Sequence, residues 1–378
     1  MSRNYLMAPG PTPVPEQARL VMAKQLIHHR GPEFKAIFEE VRKGLQWLFE
    51  TNEEVLTLTC SGTGAFEAAM INFTSRGEKL LAVGGGKFGE RWGKVGEAYG
   101  LDVVPLELEW GSVLTPGALR DRLESQKDVA MVTLSASETS TGVYHPVREL
   151  AEVVRNHSDA LFAVDGITAV GVHPLPMDEW GIDILVSGSQ KALGIPPGLG
   201  FVAASARAWE KAPASDHPKF YFDLCREKKA QVENQTAFTP AISNVLALRE
   251  VLLLLKKEGK KALYTRHELN SRATREGLVA LGFELLAEKP SYAVSAAKAP
   301  KGYGGADLVK ALRDQEGVTI AGGQGELKES LIRIGHIGFF DSSDILLTLG
   351  ALERVMGAEV AGKGVTAAQR VFSDSMDV

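Results

Sequence analysis

Short apolar runs alternate with amphipathic segments through the first half of this chain, and that alternation is the first guide to its fold. Val55–Cys60, Lys79–Val83, Val129–Leu134, Ala160–Asp165 and the run opening at Ile184 have the length and β-branched content of buried strands. Between them, Glu33–Val41 brings Phe34, Ile37, Phe38 and Val41 onto one helical face, and Ala65–Met70 and Val147–Arg155 also have helical spacing. Strand and helix in turn predict an α/β fold whose large sheet is mostly parallel and doubly wound. A leucine- and valine-rich stretch, Ala241–Glu258, predicts a long connecting helix. A smaller α+β part is expected after it: helix Ala262–Leu281, strand Tyr292–Ala296, helix Gly305–Glu316, strand Leu331–Ile334 and helix Ser342–Met356. The expected division is an N-terminal arm at 1–20, a large domain at 21–258 and a small C-terminal domain at 259–378. The tail after Gly357 has a weak pattern; a flexible end or an oligomer contact fits it, and disorder is the expectation. No internal repeat is visible.

Composition narrows the classes further. With 378 residues, 44% hydrophobic and 24% charged, the chain can bury a large core and divide into more than one domain. A formal net charge of -5 and the lack of a basic tract give no general attraction to nucleic acid. The first residues lack the apolar region of a signal peptide, and the strongest apolar run, Val251–Leu255, is too short to span a bilayer. A cytoplasmic protein is expected. Two cysteines, Cys60 and Cys225, suit a reducing compartment and cannot form a structural zinc site alone. No His-Glu-x-x-His helix is present, so no metal site is expected.

The candidate chemistry centres on Lys191. Ile184-Leu185-Val186-Ser187-Gly188-Ser189-Gln190-Lys191 carries an apolar strand into small residues and delivers one amine before a Gly/Pro-rich break. Desolvation lowers the proton affinity of such an amine and makes it a Schiff-base nucleophile. A solvated loop lysine is the ordinary alternative. Asp165 argues against it, because it closes the earlier run Ala160–Val164 and shares the edge of a parallel sheet where ligands bind. A carboxylate for a pyridinium nitrogen and a lysine for an aldehyde carbon are what pyridoxal 5′-phosphate (PLP) requires. A phosphate site is offered by Ser61-Gly62-Thr63-Gly64, which follows a strand and opens a helix. Rival nucleotide motifs fail on spacing. Glu67 stands where a dinucleotide fingerprint needs Gly or Ala, and Gly84-Gly85-Gly86-Lys87 is followed by Phe88 rather than Ser or Thr. Arg333, in Ser330-Leu331-Ile332-Arg333-Ile334-Gly335, would rise from an apolar strand, and its planar fork can hold a substrate carboxylate.

With these motifs the chain resembles the class V, fold type I, PLP-dependent aminotransferases, and most closely the alanine–glyoxylate and serine–glyoxylate or serine–pyruvate branch. The likeness runs from Ala8-Pro9-Gly10-Pro11 to Arg333-Ile334-Gly335-His336. It implies a cofactor held by Ser61, Gly62 and Thr63 at the phosphate, Phe88 against the ring face, Thr139 at the ring oxygen, and Asp165 and Ile167 at the ring nitrogen. It further implies that Gln190 contacts the phosphate, Lys191 bonds the aldehyde, and Gly10 and Arg333 meet the substrate. Thr236 and Thr239 match residues that reach the phosphate in the neighbouring subunit, so a homodimer with shared sites is implied. Thr63, Phe88 and Thr236 stand where some relatives carry histidine, tryptophan and tyrosine.

The implied activity is ping-pong transfer of an amino group from alanine or serine to glyoxylate or pyruvate, with Lys191 moving the proton. Phosphoserine aminotransferases are also similar, and the pair His29 and Arg30 fits either branch. Other chemistries implied within the resemblance are a PLP lyase or desulfurase and a non-catalytic subunit of a redox complex. Desulfurases resemble one another in a late catalytic cysteine, and none follows Cys225 here. His336 beside Arg333 is read either as a site residue or as a satisfied structural histidine.

Overall fold

The computed structural model describes residues 4–375. An arm with β1 (Tyr5–Leu6) and α1 (Glu16–Met22) leads to α2 (Pro32–Phe49) and β2 (Val55–Leu58). Then come α3 (Gly62–Phe73), β3 (Lys79–Val83), α4 (Gly89–Ala98), β4 (Asp102–Leu106), α5 (Pro116–Ser125) and β5 (Val129–Ser135). A small hairpin, β6 (Ser137–Glu138) and β7 (Val143–Tyr144), precedes α6 (Val147–His157), β8 (Leu161–Asp165), α7 (Met177–Trp180), β9 (Ile184–Gly188) and β10 (Gly200–Ala204). After α8 (Ala206–Lys211) and α9 (Leu224–Gln231), α10 (Ile242–Glu258) and α11 (Lys260–Ala280) run nearly end to end. The remainder is β11 (Glu284–Leu285), β12 (Val294–Lys298), α12 (Gly305–Glu316), β13 (Val318–Thr319), β14 (Ala321–Gly322), β15 (Leu331–Gly335), α13 (Ser342–Met356) and α14 (Lys363–Asp374).

The large sheet has the order β2-β10-β9-β8-β5-β3-β4 and is parallel except for β10, which pairs antiparallel with β9 and β2. Its strands, apart from the edge strand β4, are buried on both faces because helices cover both. Val55, Leu81, Val132, Phe162, Val164 and Leu185 point into one core, while Leu56, Leu80, Met131, Leu161, Ala163 and Ile184 point into the other. The second sheet, β11-β12-β15-β14, carries α12, α13 and α14 over a separate core that also receives Met7 from the arm. The arm ties the two parts together. β1 pairs with β13, the Gly335 amide donates to Met7 O at 2.8 Å, and Thr12 donates its amide to Gln190 O at 3.1 Å.

Three expectations need correction. The tail is not disordered over its described length: α14 packs on α11 and α13, with Gly364 lying against Gly277 and Leu281, and Ala368 and Val371 buried. Helix α2 runs on past Val41 to Phe49, because Leu45, Leu48 and Phe49 continue its buried face until Glu50 turns left-handed at φ 53. The strand expected at Tyr292–Ala296 is displaced to Val294–Lys298, since Ser291 and Tyr292 spend their amides on Gly142 O and His173 Nε2. No helix among the described residues is long and apolar enough to cross a membrane.

Candidate active site

The parallel strands end on one edge, where the turns after β2, β3, β5, β8 and β9 converge. Strands β8 and β9 are neighbours, with Asp165 opposite Val186, so Asp165 and the turn bearing Lys191 lie side by side. Lys191 is 8% exposed and Asp165 4%. The Lys191 amine donates to Pro9 O at 2.8 Å, and Thr12 Oγ1 donates to Lys191 O at 2.8 Å, so the arm roofs the lysine. A side chain at Gly10, where φ is +134, would collide with the end of Lys191. Burial brings the Lys191 amine down to about 8; Asp165 opposes that fall, while Arg333 and Arg91 add to it. Burial likewise pushes the Asp165 carboxyl up to about 7, helped by Glu138 and opposed by hydrogen bonds from the Ile167 amide at 2.8 Å and Ser135 Oγ at 3.3 Å.

Helix α3 opens at the Ser61-Gly62-Thr63-Gly64 turn. Its N-cap, Ser61, makes no side-chain cap, and the first intrahelical bond is donated by Ala65 to Ser61 O, so the preceding amides are free to receive an anion. Gly62 is closed on its other side by Ile167, against which any Cβ would clash. Gln190 Oε1 is buried without a hydrogen-bond partner among the described residues; as an acceptor it cannot donate to an anion, so a phosphate contact from this side chain would have to come from Nε2. Phe88 caps α4 and is half-buried. The Arg91 guanidinium lies 4.8 Å from its ring centroid and donates through Nη1 to Thr63 Oγ1 at 3.1 Å.

Arg333 is 6% exposed. Its Nε donates to Gly322 O at 2.8 Å and its Nη1 to Thr139 O at 3.0 Å, and among the described residues it forms no salt bridge, the buried Glu138 acting on it only through space. A buried guanidinium held only by main-chain oxygens is prepared for an incoming anion. Thr139 is buried too, its hydroxyl 3.1 Å from that of Thr168. Glu138, which the sequence reading passed over, organises this corner. Its carboxylate accepts from the amides of Phe88 (3.0 Å), Gly89 (2.9 Å) and Ser140 (3.0 Å) and from Ser140 Oγ (2.6 Å). It thereby caps α4 from a distant strand and joins Phe88 to the Thr139 segment. Its place beside Thr139 in Glu-Thr-Ser-Thr-Gly was the available signal, and Arg91 was signalled only by lying one helical turn beyond Phe88.

The structure thus gathers Gly10, Ser61, Gly62, Thr63, Phe88, Thr139, Asp165, Ile167, Gln190, Lys191 and Arg333 along the edge formed by these turns and the arm. It places Thr236 and Thr239 elsewhere, lining a small cavity with Thr57, Thr59, Tyr221 and Glu227; the Thr236 hydroxyl donates to Phe238 O at 2.6 Å. Arg30 is bound to Gln235 Oε1 at 2.7 Å, and His29 packs on His28 with ring centroids 5.0 Å apart. His336 is a fully buried structural histidine with both nitrogens engaged, by Ser295 Oγ at 3.0 Å and Tyr292 O at 2.6 Å. Burial holds it down to about 3. Cys60 packs against Gly64 and Gly200, and burial pushes its thiol up to about 12.

Comparison with known proteins matches residues 5–334 to the family model "Aminotransferase class-V". A relative from Anabaena cylindrica named "Soluble hydrogenase 42 kDa subunit" is 43% identical, covering 98% of each chain. The serine–glyoxylate aminotransferase of Methylorubrum extorquens is 32% identical over 99% of this chain and 97% of its own. Among solved structures, an aspartate aminotransferase of subgroup IV from Thermus thermophilus superposes with a TM-score of 0.87 at 34% identity, covering 93% of this chain and 99% of that one.

Proposed function

The chain belongs to the class V aminotransferases, and from that premise we propose that it uses PLP to pass an amino group from alanine or serine to glyoxylate or pyruvate. The observation that carries this reading is the buried Lys191–Asp165 pair beside a buried Arg333 that forms no salt bridge. When bound, PLP supplies an aldehyde for an amine and a protonated ring that draws electrons from the substrate α-carbon. The α3 amides, Thr63 and Gln190 would hold its phosphate, Phe88 its ring face, and Asp165 the ring-nitrogen proton. Lys191, whose amine burial brings down to about 8, can give up its proton near neutral pH and serve as the base at the α-carbon. Arg333 takes the substrate carboxylate, and Pro9 and Gly10 shield the amine from water.

Two further points belong to the same proposal. Phe220 and Tyr221 are exposed, pack on Phe238 and lie beside Thr236 and Thr239, which supports a homodimer in which these threonines serve the partner's cofactor. A cytoplasmic setting is consistent with the reading. The name of the Anabaena relative motivates a second one, a non-catalytic subunit of a redox assembly.

The test is a panel of L-alanine, L-serine, L-aspartate and O-phospho-L-serine with glyoxylate, following 2-oxo acid release. Turnover with alanine or serine is expected, and Lys191→Ala should lower it at least about a thousandfold. No turnover with any donor, together with stoichiometric capture of a redox partner, would favour the second reading.

A further inference from the structure

Arg91 is a cation in an unfavourable place. Arg42, Arg207, Arg249, Arg266 and Arg354 each sit on a carboxylate. Arg91 does not. Its only side-chain hydrogen bond among the described residues is the one from Nη1 to Thr63 Oγ1, at 3.1 Å, and its only ring contact is with Phe88. Thr63 lies in the first turn of α3, where amides without intrahelical acceptors already create positive potential. A half-buried guanidinium beside a helix N-terminus adds like charge to like, and an anion between them relieves it. The Thr63 hydroxyl accepts from Arg91, so its own proton remains free to donate to the same anion.

We propose that Arg91 is a direct ligand of a phosphate monoester, that of the cofactor, and closes the side of the cradle that α3, Thr63 and Gln190 leave open. This assignment rests on the PLP reading given above. The fork matches a phosphate dianion in shape and charge, whereas the substrate carboxylate already has Arg333. Stacked on Phe88, Arg91 also links the residue at the ring face to the phosphate end. A phosphorylated donor is the other source of the same chemistry, and the experiment separates the two.

The full-length chain, freed of cofactor with hydroxylamine, is titrated with PLP and with pyridoxal, which lacks the phosphate. Titrated at a pH above the Lys191 titration, where Arg91's influence on that amine drops out, Arg91→Ala should raise the PLP Kd about ten- to hundredfold while the pyridoxal Kd stays within about twofold, and Arg91→Lys should recover part of the loss. Pyridoxal binding at Lys191 reports that each variant is folded, and Arg91→Gln carries the comparison if the alanine variant is not. The proposal is overturned if PLP and pyridoxal weaken equally, or if the PLP Kd moves less than about threefold. It is also overturned if only the preference for O-phosphoserine over serine changes. A wild-type chain that shows no borohydride-trapped PLP at Lys191 sinks the cofactor reading itself, an outcome distinct from any of these.

Discussion

Lys191 shows how one residue acquires chemistry from its surroundings. Burial is the largest influence on its amine, Asp165 holds it up, and Arg333 and Arg91 push it down. The rate of PLP attachment should therefore rise with pH through about 8, and Asp165→Asn should move that midpoint lower by removing the opposing carboxylate. Rapid-mixing absorbance across pH checks both; a midpoint unmoved by Asp165→Asn would show that the two groups are not coupled. Linkage has a definite sign here. Between about 8 and the ordinary 10.5, the unfolded chain binds the lysine proton and the folded chain does not, so this group makes stability rise with pH across that window and contributes no slope below it. Lys191, Asp165 and Arg333 were legible in sequence because each ends or interrupts an apolar run. Glu138 was not, since a buried carboxylate reads like any turn acid until the amides it caps are known.

At the scale of elements, Glu138 is the unexpected joint. Helix α4 has no side-chain cap of its own, and its first amides depend on a carboxylate from β6. Glu138→Ala should leave the Phe88, Gly89 and Ser140 amides unsatisfied in a buried place, destabilising the fold by roughly 3 kcal/mol and loosening Phe88. Thermal unfolding tests this, and a loss under about 1 kcal/mol would mean that water replaces the carboxylate. The helix at Lys363–Asp374 escaped notice for a different reason. Its apolar residues Val365, Ala368, Val371 and Phe372 do recur at helical spacing, a signal the sequence offered and the expectation of disorder ignored, and Gly277 and Gly364 let the helix approach α11 closely. Five of the seven strands in the large sheet were legible by comparison, because both of their faces are apolar, whereas the partly exposed edge strand β4 and the antiparallel β10 were not named.

At the scale of the whole molecule, the proposed homodimer would bring residues of a second copy to the site. Thr236 and Thr239 line a cavity beside Thr57 and Thr59, and the exposed Phe220 and Tyr221 lie next to them. If a second copy covers this face, mixing Lys191→Ala chains with Thr236→Ala/Thr239→Ala chains should restore about a quarter of the wild-type rate at limiting PLP, from the one intact site of each mixed dimer. Restoration should vanish when the variants are mixed without subunit exchange. A mixture no more active than its parts would assign these threonines to their own chain.

The sequence by itself determined what depends on local spacing: the alternating strands and helices, the lysine and aspartate at strand ends, and the glycine turn before a helix. Only the tertiary structure decided what lies within a few ångströms across hundreds of positions. It set the arm's Pro9 against Lys191, Glu138 under Phe88, Arg91 on Thr63, and Arg333 on the carbonyls of Gly322 and Thr139. Those contacts depend on how sheet and helices pack around a shared core, and hydrophobic burial, which drives that packing, carries no direction of its own.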